Sequence, residues 1–179
     1  MDFYLERLAN AIARATASLD ARTLLWHPEA KWSTAETLEH LYLTYTGTIR
    51  GFQRCLEAGN PPARTPSLRD RMRTFLVLGI GHMPKGRKAP KNALPRGISA
   101  ELVLTDILAK ISEMDAVIRQ AEAKYGARTP VLDHPILGPL RAREWRKFHW
   151  VHGRHHLNQI RKLRRRAAQC PPQVADRSH

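Results

Sequence analysis

The sequence predicts an all-α protein, a four-helix bundle with one long crossover between its second and third helices. Apolar residues recur at helical spacing in four long segments, and about forty residues separate the second segment from the third. No run of alternating β-branched residues suggests a strand.

The first helix is expected from an Asp2 cap to about Leu19, with Leu5, Leu8, Ile12 and Ala15 on one stripe. The second starts at Ser33, which forms a capping-box pair with Glu36. Its face is Leu38, Leu41, Tyr45, Ile49, Phe52 and Leu56, and Gly59-Asn60-Pro61-Pro62 stops it. The crossover holds a short helix, Leu68 to Leu78, followed by the aperiodic GHMPKGRKAPKNALPRG. The third long helix follows Ser99 with Leu104, Ile107, Leu108, Ile111, Met114 and Ile118, and ends before Gly126. The fourth runs from about Leu140 to Arg166. Residues 1–168 are expected to form one domain, and 169–179 a flexible C-terminal tail.

Composition narrows the function classes. With 179 residues, 42% hydrophobic and 26% charged, the chain can build one core, so wholesale disorder is excluded. Two cysteines cannot make a disulfide framework or a cysteine-rich zinc site. Cys55 reads as a small buried residue and Cys170 as part of the tail. No apolar run approaches the roughly 18–20 residues that span a bilayer. The opening MDFYLERLANAIARA is amphipathic and lacks a signal peptide's apolar block. A soluble cytoplasmic protein with no membrane partner is the expectation.

Thirty Lys and Arg against sixteen Asp and Glu give a net charge of +14. Such a field attracts nucleic acid, anionic lipid or acidic small molecules. One cluster is Lys85, Arg87, Lys88, Lys91 and Arg96 in the crossover, readable as a lid that recruits an anionic substrate or as a solubilising loop. The other, Arg161 to Arg166, suits a helix C-terminus. Neither is interleaved with aromatics or accompanied by a nucleic-acid motif, so nucleic acid is the minority reading.

Nine histidines is a high count, and His149, His152, His155 and His156 fall together in FHWVHGRHHLNQI. Trp145, Phe148, His152, His156, Gln159 and Leu163 share one helical face. Imidazoles at i and i+4 can converge on one divalent ion. His149 and His156 stand about 10 Å apart along the axis, too far for one ion to take all three. His155 lies at the edge of the face. The competing reading is a pair of core histidines with satisfied nitrogens. A third ligand would have to come from another segment. His40 is a candidate, but it sits about 140° from the apolar face of its helix, on a strip with Thr44, Gly47 and Gly51, and periodicity does not select it.

Two stretches, KWSTAETLEHL around His40 and HPILGPLRAREWRKFHWVHGRHHLNQI, resemble the DinB-like superfamily of four-helix-bundle metal proteins. That superfamily includes YfiT-type hydrolases and thiol S-transferases. The shared features are the Trp32-to-His40 interval, the HP-x-x-G-x-L lead into the last helix, and the H-x-x-x-H pair. The resemblance implies one divalent ion, zinc or nickel, on His40, His152 and His156 at one end of the bundle. It also implies a small-molecule substrate such as a low-molecular-weight thiol, and a homodimer. Arg141 replaces the usual Thr-type cap of the last helix, and the Met83–Arg96 loop is unusually basic.

Three histidines with open positions would suit metal-assisted hydrolysis or thiol transfer. Glu36, His149, His155 and Gln159 are candidates to orient a ligand or touch substrate, with helix capping the competing role for Glu36. Two alternatives stay open. One is a basic, non-enzymatic binding module with a structural or vestigial metal. The other is a scaffold whose histidines only fill the core.

Overall fold

The computed structural model describes residues 1–61, 64–81, 83 and 89–169. The protein is mostly helical, with one small two-stranded sheet. The expected tail beyond Gln169 and the cations Lys85, Arg87 and Lys88 lie outside the described residues.

Helix α1 spans Phe3–Thr16 and starts where the Asp2 carboxylate accepts the Tyr4 amide. It stops short of Leu19 because Ala17 is extended and Ser18 turns left-handed at φ 61°. Asp20 then caps the short α2, Ala21–Leu25. Helix α3, Thr34–Ala58, begins at the expected capping box and ends at Gly59, whose φ of 79° suits a residue without a Cβ. A second capping box, Ser67 with Asp70, opens α4, Leu68–Thr74, which continues into a π-helical turn, Phe75–Gly79. A 3-10 turn, Lys91–Ala93, leads to α5, Ala100–Tyr125.

The expectation of no strand is overturned here. Strands β1, Pro130–His134, and β2, Gly138–Arg141, form an antiparallel hairpin. Helix α6 therefore starts at Ala142, not Leu140, and runs to Gln169. Leu140 is instead a buried strand residue paired with Leu132. The Glu144 carboxylate accepts the Arg141 amide at 2.8 Å, supplying half of a capping box where no Ser or Thr stands.

The four long helices share one core. Helix α3 packs chiefly on α5, and α1 on α6. Leu8 and Ile12 of α1, Tyr45 and Phe52 of α3, Ile111 and Ile118 of α5, and Leu157 and Ile160 of α6 are all buried. At Gly153 of α6, an added Cβ would collide with the Leu8 side chain, so this glycine permits the close approach of α1. A buried ion pair fastens α6 to α5: Arg146 lies 3.3 Å from the Asp115 carboxylate and 2.6 Å from that of Glu122. Among the described residues, no helix is long and apolar enough to cross a membrane.

Candidate metal centre

Helix α6 places His152 and His156 one turn apart on its buried face, and α3 brings His40 against them. The three rings are buried, at 4%, 7% and 8% exposure for His40, His152 and His156. The Nε2 of His152 lies 3.2 Å from that of His40 and 3.0 Å from that of His156. One ligand atom from each residue falls within 4.8 Å of the others.

Counting protons shows what these contacts require. The Nδ1–H of His40 donates to the Ala93 carbonyl at 2.7 Å, and the Nδ1–H of His156 donates to Gln159 Oε1 at 2.8 Å. Each neutral ring carries one proton, so both Nε2 atoms present lone pairs to the centre. A single proton on His152 Nε2 can point along only one of the two contacts. A proton on its Nδ1 would instead leave three lone pairs facing one another, with that buried Nδ1 unpartnered among the described residues. Either arrangement is short of hydrogens, and a bound cation would supply what is missing.

The spacing fits such a cation. Nitrogens about 2.05 Å from a shared ion stand about 2.9 Å apart at a right angle and about 3.3 Å apart at the tetrahedral angle. The observed 3.0 and 3.2 Å fall between these limits. Burial also keeps the rings unprotonated. Desolvation lowers His40 below the ordinary histidine range, against a raising effect of the Ala93 bond. Desolvation and the neighbouring histidines hold His152 well below it, and burial brings His156 to about 3.

The centre forms part of the floor of a cleft of about 850 Å³. Trp32, Leu94, Ile136 and Phe148 contribute apolar walls, and Phe148 stacks on His152 with ring centroids 5.3 Å apart. The end of the crossover helps to close it. The Glu39 carboxylate, 3% exposed, accepts the Arg96 amide at 2.8 Å and the Gly97 amide at 3.3 Å. With the His40–Ala93 bond, this anchors residues 93–97 to α3. The described end of the crossover is thus docked, where a lid had been one expectation.

The residues singled out in the sequence separate clearly. His40, His152 and His156 converge. Gln159 holds His156 through Oε1 and also lies 3.1 Å from His155 Nε2 through its amide nitrogen. His155 is half-buried and lines the cleft, as does Lys91. Glu36 accepts the Ser33 amide at 2.8 Å, its capping role. His149 is brought into the core, fully buried between Trp145, Phe148 and Tyr45, and burial lowers it to about 3.

Two residues escaped sequence reasoning. Glu39 has no capping duty and sits beside a candidate ligand, which was its only signal. His134 belongs to the HP-x-x-G-x-L stretch. Its Nδ1 accepts the amides of Ile136 and Leu137 at 3.1 Å each, so the hairpin turn fixes its proton on Nε2. Burial lowers it to about 4, and its ring packs on Phe148 at the cleft wall.

A family model described as "Protein of unknown function (DUF1569)" matches residues 1–163. No curated protein and no solved structure matches the chain.

Proposed function

The chain belongs to the DUF1569 family, and we propose that it is a DinB-like four-helix bundle that holds one divalent ion on His40, His152 and His156. In this reading the ion is zinc or nickel, and the protein is an enzyme of metal-assisted hydrolysis or thiol transfer on a small molecule. The observation that carries the reading is the convergence of three Nε2 atoms, two of them with lone pairs fixed inward by bonds to Ala93 and Gln159.

Three neutral protein ligands beside a cleft suit a reactive site better than a closed structural one, which takes four. A divalent ion held by His40, His152 and His156 would supply Lewis acidity, enough to activate water or a thiol near neutral pH. The chain's own residues set the conditions. Ala93 and Gln159 keep the Nδ1 protons of His40 and His156 and so orient both rings. Trp32 and Phe148 limit water around the imidazoles. The cleft walls bind and position whatever the reaction acts on.

The test is elemental analysis of the purified protein after zinc or nickel loading and desalting. About one equivalent per chain is expected in the wild type, and none in His152→Ala or His156→Ala, by the three-ligand logic. Equal, negligible metal in all three would refute the reading. Metal-loaded protein should then turn over one member of a panel of esters, amides and thiol–electrophile pairs, with turnover lost in His156→Ala.

A further inference from the structure

The cleft over the three histidines carries charge of one sign. Lys31 comes from the segment before α3, Lys91 from the 3-10 turn, and Lys162 and Arg166 from α6. Among the described residues, no Asp or Glu lines it. The overall excess of basic residues alone would more often leave acids in such a cleft. The chain has sixteen acids to thirty cations, so four cations would ordinarily bring about two acids with them. A second cleft, of about 930 Å³, follows that expectation: Asp70, Glu122 and Glu144 line it alongside its arginines.

The floor adds to the imbalance. Imidazoles that present lone pairs are neutral, so they would leave the full double charge of a bound ion uncompensated, unlike carboxylate or thiolate ligands. Lys31, Lys91, Lys162 and Arg166 are exposed, so water and salt screen them in the open cleft, and among the described lining residues no acid neutralises them. An anionic occupant would displace that solvent and gain their attraction. The same cleft is lined by apolar side chains, among them Trp32, Leu94 and Phe148, which suit a hydrocarbon or aromatic body.

We infer that the cleft binds an anionic small molecule with an apolar body, its acidic group met by the lining cations Lys31, Lys91, Lys162 and Arg166. The inference rests on the metal reading for the charge of the floor, but the four side chains stand without it.

Octanoate, 1-octanol and octylamine share a chain length and differ in charge, which makes them suitable probes for calorimetric titration of zinc-loaded and chelator-stripped protein. Octanoate is expected to bind at least about tenfold tighter than octanol, with octylamine weakest, and to weaken as salt is raised. Lys91→Glu/Lys162→Glu should cost at least about tenfold in octanoate affinity and leave octanol within about twofold. Arg50→Glu/Arg119→Glu makes the same change of net charge at exposed positions outside the cleft and should cost no more than about twofold. All four positions are exposed, so the variants are expected to fold, which circular dichroism checks.

Equal binding of octanoate and octanol would overturn the inference. So would equal losses in the two charge-reversed variants, or no octanoate binding at millimolar concentration. Protein that takes up no zinc yet still prefers octanoate would defeat the metal reading alone and leave this one standing.

Discussion

Glu39 offers a sharp test of how the site is held, because it acts on the candidate ligand His40 only through the backbone it anchors. Its carboxylate bonds the amides of Arg96 and Gly97, and the same segment carries the Ala93 carbonyl that orients His40. A hydrogen bond to a charged group contributes about 1.5–3 kcal/mol, but one of these is long and both donors belong to exposed residues that water can reach, so about 2–3 kcal/mol for the pair is reasonable. Glu39→Ala should therefore raise the open population of the segment by about thirty- to a hundred-and-fifty-fold. Glu39→Gln keeps one acceptor oxygen and turns an NH₂ group toward the other amide, so its effect should be intermediate. The informative probe is hydrogen exchange at the Ala93 amide, whose own bond runs to Pro90 within the 3-10 turn and not to Glu39. Faster exchange there, together with a loss of about tenfold or more in zinc affinity, is expected when an orienting partner is loosened. Unchanged exchange at Ala93 and unchanged affinity in Glu39→Ala would refute the coupling.

Acid should unfold the metal-free protein. His134, His149 and His156 sit at about 4, 3 and 3 when folded but titrate near 6.5 when unfolded, so the unfolded chain binds more protons between these values. Stability is then full above pH 6.5 and falls as pH drops, by up to about 4 kcal/mol per unit near pH 5. Urea midpoints that stay level between pH 7 and 5 would contradict this. Arg146→Ala leaves Asp115, which is 4% exposed, without its cation and with the Asp2 amide at 3.2 Å as its remaining bond, and should lower stability by about 3 kcal/mol in a urea titration. Gly153→Ala should destabilise by about 1–2 kcal/mol despite alanine's better helix propensity, because the new Cβ meets Leu8 in the core. A higher urea midpoint for that variant would show that α1 can yield.

Much of the fold was legible because helix signals are local. Ser33 with Glu36, the stop at Gly59 and the stripe of α5 each depend on residues within a few turns of one another. The first two appear where expected. On α5, Ile107, Ile111, Met114 and Ile118 are buried, but Leu108 is 38% exposed and Val103, Val117 and Ala121 complete the face. The hairpin was not legible. Its strands are short, Pro130 and Pro139 interrupt any alternation, and the register is irregular between Pro130 and Leu132. Tertiary bonds support it instead: Trp145 of α6 donates its indole N–H to the Leu132 carbonyl, and His134 accepts the turn amides. The His152–His156 pair was visible as two imidazoles in an apolar stripe. Its relation to Gln159 follows from the same helical spacing.

His40 was hidden for a physical reason that also explains where the site lies. Periodicity finds one buried face of α3, yet α3 buries a second, polar strip beside it, including Thr37, His40 and Thr48, and Glu39 is buried about 100° further round from His40. The threonine hydroxyls on this side need no outside partner: Thr37, Thr44 and Thr48 donate to the carbonyls of Ser33, His40 and Thr44. Their burial therefore costs little, and hydropathy alone reports the face as solvent-exposed. Gly51 on the same side leaves room for Leu132 of the hairpin, whose methyl would lie 2.7 Å from an added Cβ. The face is thus covered by elements that arrive late in the chain, the docked end of the crossover and the hairpin, neither of which has a strong local signal. A metal site formed there couples three distant segments, so ion binding should stabilise the docking of residues 93–97 as much as it depends on it. Hydrogen exchange at Ala93 that slows on zinc addition in the wild type, and does not slow in His152→Ala, is the expected outcome. Exchange indifferent to zinc in a protein that demonstrably carries it would mean that the segment is held by Glu39 alone.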